Sequence, residues 1–118
     1  MPIKLDFYPN GYNQRVAHFK KNGIHLTVAP HNVGPDGKQM LGWEVYFWGD
    51  NKGKIDTSHA LESIVLDGGP DDLEEIADTY ARRLDSGVKP EDMFTDIYEE
   101  NRKNIKQLYE DFQAGKIK

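Results

Sequence analysis

The chain contains no cysteine. That absence excludes disulfide scaffolds, Cys-ligated zinc, iron–sulfur clusters and thiol nucleophiles. Long apolar runs are missing as well: no stretch approaches the roughly 18 residues that a membrane-spanning helix needs. The opening residues, Met1-Pro2-Ile3-Lys4-Leu5-Asp6, lack the apolar core of a signal peptide. A cytoplasmic location without a membrane partner is therefore the expectation. Recognised catalytic and phosphate-binding spacings are also absent. Gly34-Pro35-Asp36-Gly37-Lys38 lacks the Gly-x4-Gly-Lys-Ser/Thr pattern of a phosphate loop, and Gly68-Gly69 alone makes no dinucleotide fingerprint. Ser58 sits beside His59 but in no Gly-x-Ser-x-Gly elbow. His25-Leu26-Thr27 matches one half of a tandem His-x-Thr/Ser phosphoesterase signature, and the second half is missing. No catalytic residue is assigned on these grounds.

What is present fits one folded unit. The chain has 118 residues, 37% of them hydrophobic and 30% charged, enough apolar content for a core in a single domain spanning 1–118. Its net charge of −5 is unevenly placed. Residues 1–60 carry seven Lys/Arg and five Asp/Glu, whereas residues 67–100 carry twelve acids against Arg82, Arg83 and Lys89. Such a segment repels phosphate backbones, so direct nucleic-acid binding through it is not expected.

The first half alternates as strands do. Ile3, Leu5 and Phe7 interleave with polar residues until Pro9-Asn10-Gly11 breaks the run. Asn22-Gly23 lies between two strand-like segments, the signature of a two-residue hairpin in which both turn residues take positive φ. That turn sets the register: Phe19 opposite Leu26 on an apolar face, His18 opposite Thr27 and Lys20 opposite His25 on a polar one. Residues 30–39 read as a turn-rich loop, and a third strand carries Leu41, Trp43, Val45 and Phe47 on one face and Glu44, Tyr46 and Trp48 on the other. A short strand near 54–58 follows; 59–62 fits a helical turn or a loop, and 63–66 fits another strand.

The second half is helical. Leu73, Ile76, Ala77, Tyr80, Ala81 and Leu84 form one apolar stripe, with Asp71 and Glu74 spaced as a capping box and Ser86-Gly87 as the end. Beyond Pro90, the residues Phe94, Tyr98, Asn101, Ile105, Leu108 and Phe112 recur at spacings of four and three up to Gly115. This seam predicts a helix packed on the sheet or on its neighbour, with a self-associating coiled coil, and so a homodimer, as a further option. The predicted fold is α+β: an N-terminal antiparallel meander of four to five strands over about 3–66, followed by C-terminal helices at about 71–85 and 91–113 packed on it. The expected core is Ile3, Leu5, Phe7, Phe19, Leu26, Val28, Trp43, Val45, Phe47, Ile64, Leu66, Leu73, Ile76, Tyr80, Leu84, Ile97, Ile105 and Leu108.

Two surfaces are candidates for function. The acidic helices, through Asp71, Asp72, Glu74, Glu75, Asp78, Glu91, Asp92 and Asp96, would engage a basic protein surface. On this reading the chain is a non-enzymatic interaction module, for instance a small acidic inhibitor of a nucleic-acid-binding partner. Glu99 and Glu100 would extend that surface. The alternative is a ligand- or metal-binding face formed by His18, His25, Tyr46 and Trp48, with Glu44 alongside. Diagonal neighbours on adjacent strands lie within about 7–8 Å, so two imidazoles there could share a ligand. Lys20 on the same face opposes a cation, so no metal and no cofactor is expected.

Overall fold

The structure is a computed structural model that describes residues 3–11 and 14–115. The extreme ends of the expected domain, at 1–2 and 116–118, lie outside the described residues. Five antiparallel strands follow one another across a single sheet in chain order. They are β1 (Asp6–Pro9), β2 (Arg15–Lys21), β3 (Ile24–Val33), β4 (Gln39–Asn51) and β5 (Lys54–Asp67). Two helices come last, α1 (Leu73–Asp85) and α2 (Thr95–Gln113), each preceded by a short 3-10 turn, at Pro70–Asp72 and Pro90–Asp92. The architecture is thus the α+β meander with two C-terminal helices that the sequence pattern implies.

Turn chemistry sets the sheet. Asn22 and Gly23 have φ of 53° and 74°, the double positive φ of a type I′ hairpin. Phe19 accordingly pairs with Leu26, His18 with Thr27 and Lys20 with His25. Lys52 and Gly53 repeat the device at the β4–β5 hairpin, with φ of 55° and 86°.

Several expectations need correction. The long loop over 30–39 is shorter, because β3 continues to Val33 and β4 starts at Gln39. Residues 54–67 form one bulged strand rather than two pieces with an ambiguous join. Leu41 does not share the face of Trp43: His31 pairs with Gly42 but Asn32 with Met40, so Leu41 is the extra residue of a bulge and is exposed. Phe7 is not core. It is exposed on the edge strand with the Arg15 guanidinium 4.5 Å above its ring.

The core lies between one sheet face and the helices. Leu26, Val28, Trp43, Val45 and Phe47 meet Leu73, Ala77, Tyr80, Ala81 and Leu84 of α1. The Trp43 indole N–H donates to the Gly69 carbonyl at 2.9 Å, fixing the link that turns the chain from sheet to helix. The expected Asp71/Glu74 capping box is replaced by one a turn earlier: Gly69 stands at the N-cap of the 3-10 turn, and Asp72, three residues on, accepts the Gly69 N–H through Oδ2 at 2.7 Å. Gly87, at φ 91°, closes α1, with Val88 N–H bonded to Arg83 O and Gly87 N–H to Leu84 O.

α2 packs on this core only through its start. Met93 and Phe94 are fully buried, and the Phe94 ring lies 5.8 Å from Phe47 and 5.3 Å from Tyr80. Ile97 is partly buried against the same cluster. No described residue of α2 itself is buried, and Ile105 and Leu108, expected in the core, are exposed. The helix is held on the core only by its first turn, and residues 98–110 are exposed. The molecule measures 55 × 37 × 29 Å with a Cα radius of gyration of 16.8 Å, against about 13–14 Å for a compact chain of this size. Among the described residues no helix is long and apolar enough to cross a membrane.

Candidate functional site

The sheet face opposite the helices collects the polar residues. Alternation along β3 and β4 puts His25, Thr27 and His31 beside Glu44, Tyr46, Trp48 and Asp50. Two side-chain networks form there. In the first, His18 Nε2 lies 2.9 Å from His25 Nδ1, and His25 Nε2 lies 2.6 Å from Asp50 Oδ1. A carboxylate can only accept, so His25 Nε2 carries the proton toward Asp50, and His25 Nδ1 accepts from the His18 N–H. Lys20 Nζ reaches the same Asp50 oxygen at 3.2 Å, and Asp50 Oδ2 accepts the Gly53 N–H at 3.1 Å. Asp6 stands 3.9 Å from His18 Nδ1.

This geometry explains the local titration. The hydrogen bond from His25, followed by that from Gly53, holds the Asp50 carboxyl down to about 2. Burial, then the neighbouring His25, lowers the His18 imidazole below its ordinary value, against the smaller opposing pull of Asp6. In the second network Glu44 accepts from His31 Nδ1 and from the Tyr46 hydroxyl, both at 2.7 Å. That hydroxyl bond is the main reason the Tyr46 phenol is pushed up to about 12.

All four residues of the expected ligand face are here, but they are occupied with one another. His18 and His25 stack with centroids 5.2 Å apart, and Tyr46 and Trp48 stack at 5.0 Å. The Trp48 indole N–H donates to Thr27 Oγ1 at 2.9 Å. Among the described residues no helix covers the pair; α1 packs on the opposite face. Glu44 does not approach His25 as expected, because His31 and Tyr46 hold it, and Asp50 takes that place. Sequence reasoning missed Asp50 and His31, although both continue the alternation: 44, 46, 48, 50 on β4 and 25, 27, 29, 31 on β3. His25 is 2% exposed with both ring nitrogens bonded, so a buried imidazole links the half-buried His18 to the exposed Asp50 across two hairpins. No group of three or more His, Asp or Glu side chains placed to hold a metal occurs among the described residues.

The acidic residues are divided between two states. Glu74 bonds Arg15 at 3.3 Å, Asp78 bonds Arg82 at 2.8 Å and Asp96 bonds Arg83 at 3.0 Å, while Asp72 caps the Gly69 amide. Asp71, Glu75, Glu91, Asp92, Glu99 and Glu100 are exposed and make none of the ion pairs described. Asp67, Glu75 and Asp96 line one shallow cleft between β5, α1 and the start of α2. Asp96 is shared with a second cleft that holds Glu99 and Glu100; Arg83, its ion-pair partner, lines the first cleft and Lys103 the second, so the acids at the base of α2 outnumber the cations among them.

Beyond that base lies the feature without a partner. Ile105, Leu108, Tyr109 and Phe112 line one shallow apolar surface and are between 59 and 68% exposed. The seam was visible in the sequence, but its exposure was not. Against family descriptions, curated proteins and solved structures, the chain finds no match. Its own residues must therefore carry the functional reading.

Proposed function

We propose that this chain is a protein-interaction module that presents its C-terminal helix, and the acidic surface at the base of that helix, to other protein surfaces. One observation carries the reading: α2 projects past the core with its apolar seam facing solvent. Soluble chains seldom leave four large apolar side chains clustered in water without use for them. The chemistry of the sheet face points the same way, since both ring nitrogens of its buried histidine, His25, are taken up by internal bonds.

The acidic base fits a basic partner. Glu75, Glu99 and Glu100 are exposed and make none of the ion pairs described, and complementary charge accelerates encounter and selects partners. A basic groove that otherwise binds nucleic-acid phosphates is the surface this charge matches best. By occupying it in the cytoplasm, the chain would act as an inhibitor. The test uses immobilised protein to capture a partner from host extract; the partner is then purified and titrated. Wild type should bind in a salt-sensitive manner, and the variant Glu75→Lys/Glu99→Lys/Glu100→Lys should bind at least about tenfold more weakly at low salt. Equal binding by a folded triple variant would reduce the acidic base to solvated surface.

A further inference from the structure

We propose that the free edge of β5, over residues 62–67, docks an extended strand of a basic partner, added antiparallel to the sheet. The inference rests on the interaction reading and deepens it by naming where and in what form the partner is held. β5 closes one side of the sheet, and among the described residues no backbone hydrogen bond reaches it from any element but β4. The opposite edge, β1, is four residues long and ends at Pro9, two features that discourage pairing. In β5 the ladder slips on either side of Trp48, which blunts residues 54–61. From Phe47 with Glu62 to Gly42 with Asp67 the pairing is regular.

Which backbone groups face outward follows from the hairpin at Asn22-Gly23. A two-residue turn is closed by a hydrogen-bonded pair, here Lys21 with Ile24, and such pairs recur at every second residue. Leu26 therefore turns its backbone groups to β2, and Thr27 turns its own to Tyr46 on β4. Val45 and Phe47 are then bonded to Ile64 and Glu62. Ser63 and Val65, the alternate residues, direct their N–H and C=O away from the sheet, and both residues are exposed. These are the groups that an added strand pairs with.

Side chains select the occupant. Glu62 and Asp67 bracket the run and make none of the ion pairs described, so a strand with lysine or arginine at each end meets a carboxylate at each end. Between them the helix side is apolar: Ile64 and Leu66 are half-buried, and Ile97 of α2 lines one cleft with Leu66. Arg83, which also lines that cleft, is held by Asp96 at 3.0 Å. The fitting segment therefore alternates β-branched residues between two basic ends. A second copy fits worse, because it brings the same acids and a net charge of −5.

The probe is the peptide acetyl-Lys-Val-Thr-Val-Thr-Lys-amide, titrated into the isotope-labelled full chain and read by amide chemical shifts. Saturable shifts should concentrate at residues 62–67 and fade with salt. In the docked register the first threonine faces Val65 and points its N–H at β5, whereas the second valine points its N–H away. N-methylation of that threonine should weaken binding at least about tenfold, and N-methylation of that valine less than about twofold. Val65→Pro removes one outward N–H and no bond to β4, so circular dichroism should be kept while binding falls at least about tenfold. No saturable shift up to about 2 mM peptide, equal binding by the two methylated peptides, or a folded Val65→Pro that binds like wild type overturns the inference. Shifts at the same amides on concentrating the protein alone would give the edge to a second copy and overturn it too. Peptide binding without any basic partner in host extract supports the edge site and removes the interaction reading; a captured partner with a silent peptide does the reverse.

Discussion

At the scale of single residues, His25 ties two hairpins together. Its ring joins His18 on β2 to Asp50 at the end of β4, adding a side-chain link to the backbone ladders that pair β2 with β3 and β3 with β4. Replacing it with alanine leaves two engaged polar groups without their partner, so His25→Ala should cost about 1–3 kcal/mol in urea denaturation while α1 and α2 keep their circular dichroism. The pH dependence has a definite sign. His18 is held below its ordinary 6.5, so the folded state disfavours its protonation; its contribution is complete above 6.5 and is lost as pH falls from there toward the lowered value. Asp50, held near 2 against 3.8, adds stability that is lost between those values as acid is added. The urea midpoint should therefore decline from pH 7 to pH 5, with a slope of at most about 1.4 kcal/mol per pH unit from His18, and His18→Gln should remove that part of the slope. An unchanged slope in the variant would assign the titration elsewhere.

Elements differ in how openly the sequence displays them. The β2–β3 hairpin is legible because Asn22-Gly23 admits one turn type and the alternation on both sides agrees with it. α1 is legible because its stripe meets the core along its whole length. The bulge at Leu41 is hidden, since a continuous Leu41, Trp43, Val45, Phe47 alternation reads as one face and only the pairing reveals the extra residue. Gly42 beside it is explained by contact rather than by turn chemistry: a Cβ there would fall on the Leu66 carbonyl oxygen of β5. Gly42→Ala should therefore separate β4 from β5 locally and cost roughly 1–3 kcal/mol, measured by thermal unfolding. For α2 the seam is legible and its burial is not. Periodicity states which side of a helix is apolar, but not whether the chain supplies something to cover it. Asp50 was likewise missed because turn residues are discounted as side-chain partners, though its place in the alternation aims it at His25.

On the whole-molecule scale, a compact sheet-and-helix core carries a projecting helix, and that shape is the basis of the functional account. Stability should follow the division. Leu108→Glu and Phe112→Ser alter side chains that touch little in the monomer, so at dilution they should shift core stability by no more than about 0.5 kcal/mol, whereas the buried Phe94→Ala should cost about 3–5 kcal/mol. The same division makes α2 the part most sensitive to its surroundings, because local opening is cheap where few apolar contacts oppose it. Residue-resolved hydrogen exchange on dilute protein tests this most directly. The account predicts that amides of α1 and of β3 and β4 are protected, while amides over 103–113 exchange rapidly. Protection over 103–113 that is as strong as in α1 would contradict it.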